Sequence, residues 1–284
     1  MRVLILGANG MLGNAMLHVF SESAAIEAFG TVRSEDTKKL FDPRIAARIL
    51  AGCDVESDPA LFNVFDQVRP SVVINCVSPS KLALRANDAL RVIPLCALLP
   101  HRLAKFCSSF GARLVQMGTD GVFSGEKGDY KEDDRPDAED LYGLSKRLGE
   151  VHYPHTITIR TSIIGHELGN SQGLLSWFLA QHGQCTCFSG AIFSGLPTVV
   201  LAQIIRDVVI PRPDLFGVYH IAARPISKCD LLRLIAKVYG KSIELIPDSA
   251  PVIDRSLNSE RFRAATGYVP PDWPTLIQVM HSSR

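Results

Sequence analysis

Apolar and polar positions alternate between two rhythms along this chain. The first apolar run, Arg2-Val3-Leu4-Ile5-Leu6, is short and of strand type. It is followed at once by Gly7-Ala8-Asn9-Gly10-Met11-Leu12-Gly13, and then by a helical pattern through Met16, Leu17 and Phe20. A second strand is expected over Ile26 to Val32, ending in Thr31-Val32-Arg33-Ser34. Residues 35 to 51 form a polar connection, and Gly52-Cys53-Asp54-Val55 ends a third strand or its short remnant. A helix over Ala60 to Val68 leads through Arg69-Pro70 into Val72-Val73-Ile74-Asn75-Cys76-Val77, a buried-type strand. The apolar segment Leu90 to Phe110 predicts a long helix bent by Pro100, with Pro94 near its start. A strand through Leu114, Val115 and Met117 then meets Gly118-Thr119-Asp120-Gly121-Val122-Phe123. Ser124 to Leu141, rich in Gly, Asp, Glu and Pro, reads as a loop over a cleft whose acids form a solvated charge run. A helix carries Tyr142-Gly143-Leu144-Ser145-Lys146, and Ile157 to Thr161 forms another strand. Past residue 165 the pattern loosens: a turn at 194–198, a helix over Val199 to Val209, a late strand at 217–221 and an amphipathic helix over Ser227 to Tyr239.

Composition narrows this little. At 284 residues the chain fits one large α/β domain or a nucleotide-binding domain with a smaller cap, and 46% hydrophobic residues suffice for a full core. Thirty basic and 29 acidic residues give a net charge of +1, which offers no electrostatic reason to expect nucleic acid or an acidic membrane as partner. No apolar run approaches the ~20 residues needed to span a bilayer. The first residues enter a strand directly, so a cytoplasmic protein is expected. The seven cysteines contain no C-x-x-C and are expected to be free, mostly buried thiols. Cys185 and Cys187 have no second ligand pair near them, so no metal site is expected.

The candidate chemistry sits in two places. Glycines after the first strand let the backbone turn tightly and approach a pyrophosphate, whose charge is favoured by the amides and dipole of the helix start. Tyr142 and Lys146, four residues apart, share a helix face. An ammonium there favours the phenolate, pulling the phenol pKa toward a range useful for proton transfer. The spacing alone also fits a helix-surface pair. Thr119, at a strand end, adds a hydroxyl able to hold a carbonyl oxygen. Arg33 with Ser34 stands where an Asp or Glu would bind a ribose 2′-hydroxyl, and favours a 2′-phosphate instead. By position after a parallel strand, Cys76, Val77 and Ser78 border the nicotinamide half of such a cofactor. His166 and Glu167 read as structural.

Taken together, Gly7-x-x-Gly10-x-x-Gly13, Asn75-Cys76-Val77, Thr119-Asp120-Gly121-Val122-Phe123, Tyr142-x-x-x-Lys146 and Arg160-Thr161-Ser162 fall in the order seen in extended short-chain dehydrogenase/reductases. The sequence most resembles their dTDP-4-dehydrorhamnose reductase-like branch, well over the first 165 residues and loosely beyond. The resemblance implies an α/β fold with a Rossmann-like doubly wound parallel sheet and a smaller C-terminal substrate-binding cap. Residues 1–165 would form the NADP-binding domain, 195–222 would return to it, and 166–284 would be mainly cap. It implies NADPH as cofactor, with NADH allowed, held by Gly7, Asn9, Gly10, Met11, Leu12, Gly13, Arg33, Ser34, Asp54, Val55, Cys76, Val77, Ser78, Tyr142 and Lys146. Asp54 and Val55 would flank the adenine. Thr119, Tyr142 and Lys146 would be catalytic. Lys81, Thr119, Asp120, Ile163, Arg255 and Arg261 would meet a nucleotide-linked sugar, the arginines gripping its diphosphate. Asp120 would serve as a helper of Thr119.

The implied activity is reduction of a keto group on a nucleotide-linked deoxysugar, as in polysaccharide biosynthesis, by a chain that could pair as a homodimer. Two departures stand out. Cys96-Ala97 occupies the place where relatives carry an Asn that fixes the active-site helix, and a thiol cannot reproduce that amide's hydrogen bonds. Ile163 stands where relatives that reduce dTDP-sugars have a Trp. Gly121 after Thr119-Asp120 leaves no acid of the dehydratase type. An epimerase with retained NAD and a non-catalytic dinucleotide-binding regulatory subunit are the alternatives; the intact Tyr142 and Lys146 speak against the latter.

Overall fold

The computed structural model describes residues 1–169 and 172–283. Among these, seven strands make one parallel sheet: β1 (Arg2–Leu6), β2 (Glu27–Thr31), β3 (Ile49–Leu50), β4 (Val72–Asn75), β5 (Arg113–Met117), β6 (Thr156–Arg160) and β7 (Gly217–His220). Their spatial order is β7-β6-β5-β4-β1-β2-β3. Strand order reverses between β1 and β4, whose register pairs Val3 with Val72 and Leu6 with Asn75. In a doubly wound sheet that reversal opens a crevice at the carboxyl ends of the two strands.

The sheet is covered on both faces, which explains why its strands are apolar at successive positions. Val3, Ile5, Val72, Ile74, Val115, Met117, Ile157 and Ile159 face one core, with Met16, Leu17 and Phe20 of helix α1 (Met11–Ser21). Leu4, Leu6, Val73 and Leu114 face the other, with Leu61, Val64 and Phe65 of α2 (Asp58–Val68) and Leu103 and Cys107 of α3 (Leu99–Phe110). The first core continues without a break into the C-terminal part through Ile164, Leu175, Phe178, Phe193, Leu232 and Trp273.

Three segments differ from the expectation. The third strand is over by Leu50; Gly52, at φ +79°, turns the chain, so Cys53 to Val55 lie beyond the strand. Leu90 to Phe110 is not one helix bent at Pro100. Ala89–Ile93 is α-helical, Pro94–Leu98 is a π turn in which the Leu99 amide donates to the Pro94 carbonyl, and α3 follows. Pro100 falls in the first turn of α3, where a missing amide hydrogen costs nothing, so the irregularity moves to Pro94. Cys187 and Cys229 are joined as a disulfide rather than free, across 42 residues, because strand Gln184–Phe188 packs against the start of helix Lys228–Val238 and brings their Cα atoms to 4.6 Å. Cys53, Cys76, Cys96, Cys107 and Cys185 are free thiols, all buried except the half-buried Cys76.

The loop before α4 (Leu141–Leu148) is held in place by its acids rather than leaving them all to solvent. Asp137 accepts from the Ser124 amide and hydroxyl at 2.7 Å each, and Asp140 caps α4 by accepting from the Gly143 amide at 2.9 Å. The Tyr130 hydroxyl accepts from the amides of Gly125 and Lys127, its ring stacks on Phe123 at 4.1 Å, and the Asp254 amide donates to the Gly125 carbonyl. The C-terminal segment 254–258 is thereby latched to the loop.

Under the loop lies a buried ion pair, Arg160 with Glu150, bonded at 2.6 and 2.8 Å. A guanidinium only donates, so its contact with His220 at 3.2 Å makes Nε2 an acceptor, and Nδ1 carries the hydrogen donated to the Tyr130 carbonyl. Burial, with the Arg160 charge, pushes His220 down to about 3. The folded imidazole therefore stays neutral while an unfolded one protonates below about pH 6.5. Acid thus favours unfolding across that interval, at about 1.4 kcal/mol per pH unit, or roughly 2–3 kcal/mol by pH 4.5. Denaturant unfolding from pH 7 to 4.5 should show this slope, and His220→Gln should flatten it.

Candidate functional site

The glycine turn is shaped by contacts that exclude side chains. Gly7 adopts φ +77°, and a Cβ there would lie 3.2 Å from Val77 backbone atoms at the end of β4. A Cβ on Gly13 would lie 2.2 Å from the Gly7 carbonyl oxygen and 2.9 Å from Ala8 Cα. The turn is tied to β2 by Ala8 N–H donating to the Thr31 carbonyl at 3.0 Å. Helix α1 starts after Gly10 with no capping side chain and no acid in its first turn, so its first amides face the crevice uncapped. Gly13→Ala must displace this turn and should weaken dinucleotide binding by roughly 10-fold or more, the equivalent of about 1.4 kcal/mol, in a fluorescence titration.

One strand away, a buried polar network fixes the ends of β4 and β5. Asn75 Nδ2 donates to Gln116 Oε1 at 2.8 Å, Gln116 Nε2 donates to the Met117 carbonyl at 3.0 Å, and the Val77 amide donates to Asn75 Oδ1 at 3.2 Å. Lys146 Nζ donates to the same Met117 carbonyl at 2.6 Å. The ammonium is thus held between the strand end and α4. Breaking one such buried bond leaves a polar group unsatisfied at a cost of about 1–3 kcal/mol.

Thr119 and Tyr142 meet over Gly121. A Cβ on Gly121 would stand 3.2 Å from Thr119 Oγ1 and 3.3 Å from the Tyr142 ring, so the glycine lets them converge. Thr119 Oγ1 accepts from the Gly121 amide at 3.0 Å and donates to Asp120 Oδ1 at 3.3 Å. Helix α4 crosses the π turn closely: a Cβ on Gly149 would fall 1.9 Å from the Cys96 carbonyl oxygen. Cys96 is thereby held against the end of α4, near enough for its charge and that of Lys146 to act on each other.

The electrostatics correct one expectation. Burial pushes the Tyr142 phenol up, with Cys96 adding to the rise and the Thr119 hydroxyl opposing it. Burial outweighs any pull from Lys146, whose ammonium bonds the Met117 carbonyl. Tyr142 is therefore a phenol that keeps its proton at neutral pH. Cys76 is pushed up to about 12 and Cys96 also up, both by burial, so both stay thiols. Asp120 is raised to about 6, by burial first, with Arg255, the Thr119 and Ser162 hydroxyls and Lys228 drawing it back.

Other residues read from the sequence are distributed as follows. Asn9, Met11 and Leu12 belong to the turn and the first turn of α1. Arg33 is exposed just past β2, and the Ser34 hydroxyl caps the next short helix by accepting from Thr37. Asp54 accepts from the Glu56 amide, and Val55 is buried in the second core. Cys76, Val77 and Ser78 follow β4 beside the glycine turn. Lys81 donates to the Gln172 carbonyl, and the Glu167 carboxylate accepts from the Gly173 amide beside Met11. His166 Nε2 contacts the Met280 carbonyl and the Tyr239 hydroxyl, away from the Tyr142 cluster.

Ile163 is half-buried in a short strand that pairs with Leu196–Pro197. Arg255 joins the cluster, facing Asp120 and donating to the Ser124 carbonyl at 3.3 Å. Arg261 does not. It lies over the Tyr219 ring at 5.1 Å, in a cavity with Glu132, Arg147 and Phe216 at the β7 edge of the sheet, because α-helix Glu260–Thr266 packs on β7.

Asn75, Gln116, Ser162 and Lys228 were missed as site residues. A polar pair inside two apolar strands was a readable signal for the first two. Lys228 opens an ordinary amphipathic helix and carried none. Among the described residues, no group of three or more His, Cys, Asp or Glu is placed to hold a metal ion, and no helix is long and apolar enough to cross a membrane.

A family model described as the RmlD substrate binding domain matches residues 1–281. Methionine adenosyltransferase 2 subunit beta of Danio rerio is 25% identical over 264 residues, 87% of this chain and 76% of that protein. The dTDP-4-dehydrorhamnose reductase of Streptomyces griseus is 28% identical over 151 residues, 52% of this chain and 43% of that protein. In fold, the chain matches the crystal structure of dTDP-4-dehydrorhamnose reductase from Bacillus anthracis str. Ames in complex with NADP, with a TM-score of 0.80, 22% identity and coverage of 100% and 99%.

Proposed function

Since the chain belongs to the RmlD substrate binding domain family, within the extended short-chain dehydrogenase/reductases, we propose that it is an NADPH-dependent reductase of a keto group on a nucleotide-linked deoxysugar. The observation that carries this reading is the meeting of Thr119, Tyr142 and Lys146 at the carboxyl end of β5, one strand from the switch point.

The residues fit a dinucleotide. Gly7, Gly10 and Gly13 keep side chains out of the space before the uncapped start of α1, where a pyrophosphate is favoured. Arg33, exposed after β2, suits the 2′-phosphate of NADPH, while Asp54 and Val55 would flank the adenine. When bound, the reduced nicotinamide supplies the hydride equivalent. Cys76, Val77 and Ser78 would border it, and Lys146 would hold its ribose. Thr119 holds the substrate carbonyl oxygen, and Tyr142, protonated at neutral pH, gives that oxygen its proton. Arg255 and Lys228, both facing Asp120, present positive charge to a substrate phosphate. A screen of nucleotide-linked keto sugars should show NADPH oxidation with a 4-keto sugar nucleotide; no oxidation with any of them would remove the reading.

The length of the match to the Danio rerio subunit favours a second reading, a dinucleotide-binding regulatory subunit. Copurification with a larger enzyme, without turnover on any keto sugar, would select it.

A further inference from the structure

We infer that Gln116 is a positioning residue: through the Met117 carbonyl it sets where the Lys146 ammonium stands against the cofactor crevice. The inference rests on the proposed dinucleotide site, with Lys146 holding the ribose, and deepens it. A carboxamide in the middle of an apolar strand, buried between Val115 and Met117, is costly unless its polar atoms are satisfied. Asn75 and Gln116 form the last rung that pairs β4 with β5. Past that rung the ladder stops and the two side chains take over. The Val77 amide donates to Asn75 Oδ1 at 3.2 Å, Asn75 Nδ2 to Gln116 Oε1 at 2.8 Å, and Gln116 Nε2 to the Met117 carbonyl at 3.0 Å.

The direction of this chain of bonds is fixed at both ends. A backbone amide only donates and a carbonyl only accepts, so each carboxamide has one satisfied orientation, and flipping either one breaks two bonds. The Met117 carbonyl then takes a second donor, Lys146 Nζ, at 2.6 Å. Among the described residues the ammonium makes no other hydrogen bond. Lys146 is therefore placed by a single carbonyl, which Gln116 holds, and its remaining N–H groups are left for a ribose. At the far end, Val77 packs on the glycine turn, since a Cβ on Gly7 would lie 3.2 Å from its backbone. Four bonds thus join the wall of that turn to the Lys146 amine through side chains that are all buried, and they keep the two halves of the site in register.

A double-mutant cycle separates the placement of Lys146 from plain support of the fold. Gln116→Met keeps an unbranched side chain of similar volume and removes the carboxamide. It should weaken NADPH binding by about 5–10-fold in a fluorescence titration, the equivalent of one buried hydrogen bond. In a Lys146→Met background the same substitution should change NADPH affinity by less than about twofold, because the group that Gln116 positions is gone. With a dTDP-linked 4-keto sugar, kcat should follow the same pattern, falling by about 10-fold on Gln116→Met alone and not in the Lys146→Met background. Should Gln116→Met not fold, Gln116→Glu takes its place. Its carboxylate, of the same size, accepts from Asn75 but donates nothing to the Met117 carbonyl, and the same pattern is expected. No loss on replacing Gln116, equal losses in both backgrounds, or a Lys146→Met variant that binds NADPH unimpaired overturns the inference. A coupled NADPH cycle with no keto sugar reduced leaves the positioning in place and removes the reductase reading instead.

Discussion

On the proposed reading, Tyr142→Phe should lower turnover of a keto-sugar substrate by about 10²–10⁴-fold, the usual worth of a positioned proton donor. The aromatic ring is kept, so the packing over Gly121 and against the π turn is kept as well. What disappears is the hydroxyl proposed to give the proton. NADPH affinity, on this reading carried mainly by the glycine turn, should stay within about threefold, less than the loss of one hydrogen bond. The phenol, pushed up by burial, is present in its acid form throughout the neutral range. The variant should therefore be slow at every pH, without recovery on the alkaline side. Steady-state kinetics with a parallel NADPH titration checks both parts, and retained turnover would remove Tyr142 as the acid.

Glu150→Ala should cost about 3–5 kcal/mol of stability, because it strands the Arg160 guanidinium in a buried site. Arg160 is only 4% and Glu150 only 7% exposed, so the guanidinium left behind is poorly hydrated. The same guanidinium bonds His220 and lies over the Phe123 ring at 5.2 Å, so the loop latch loosens with it. For a chain of this size the loss corresponds to a fall in Tm of roughly 10 °C. Replacing both partners by apolar residues, Glu150→Leu with Arg160→Met, should recover much of that loss, since the pair's own desolvation is then avoided. Chemical denaturation measures both; a loss below about 1 kcal/mol in Glu150→Ala would contradict the buried-pair account.

The fold was legible in its first half because the signals there are local. A strand-type run, three glycines and a helical pattern in that order leave few conformations other than the observed turn. The meeting of Tyr142 with Thr119 was legible as spacing and as resemblance, and Gly121 supplies the reason the two can touch. What could not be read depends on packing between distant segments. The Cys187–Cys229 bond spans 42 residues and exists because a strand and a helix start lie side by side. The π turn at Pro94–Leu98 arises from two prolines whose effects on one helix are not separable by sequence alone. Arg261 looked equivalent to Arg255, yet one sits on a loop latched over the Thr119 end and the other on a helix packed against the sheet edge. The direction of the Tyr142 shift was misread because a nearby ammonium was expected to dominate, whereas burial dominates and the ammonium is turned to a carbonyl.

The central claim is that this cluster reduces a carbonyl carbon with the electrons of a bound dinucleotide. The most direct test uses NADPH deuterated at the transferring ring position, incubated with the protein and a dTDP-linked 4-keto sugar, with the product examined by mass spectrometry and NMR. The account predicts one deuterium on the former keto carbon for each NADP formed. Product without the label, or oxidation of NADPH with the sugar unchanged, would contradict it.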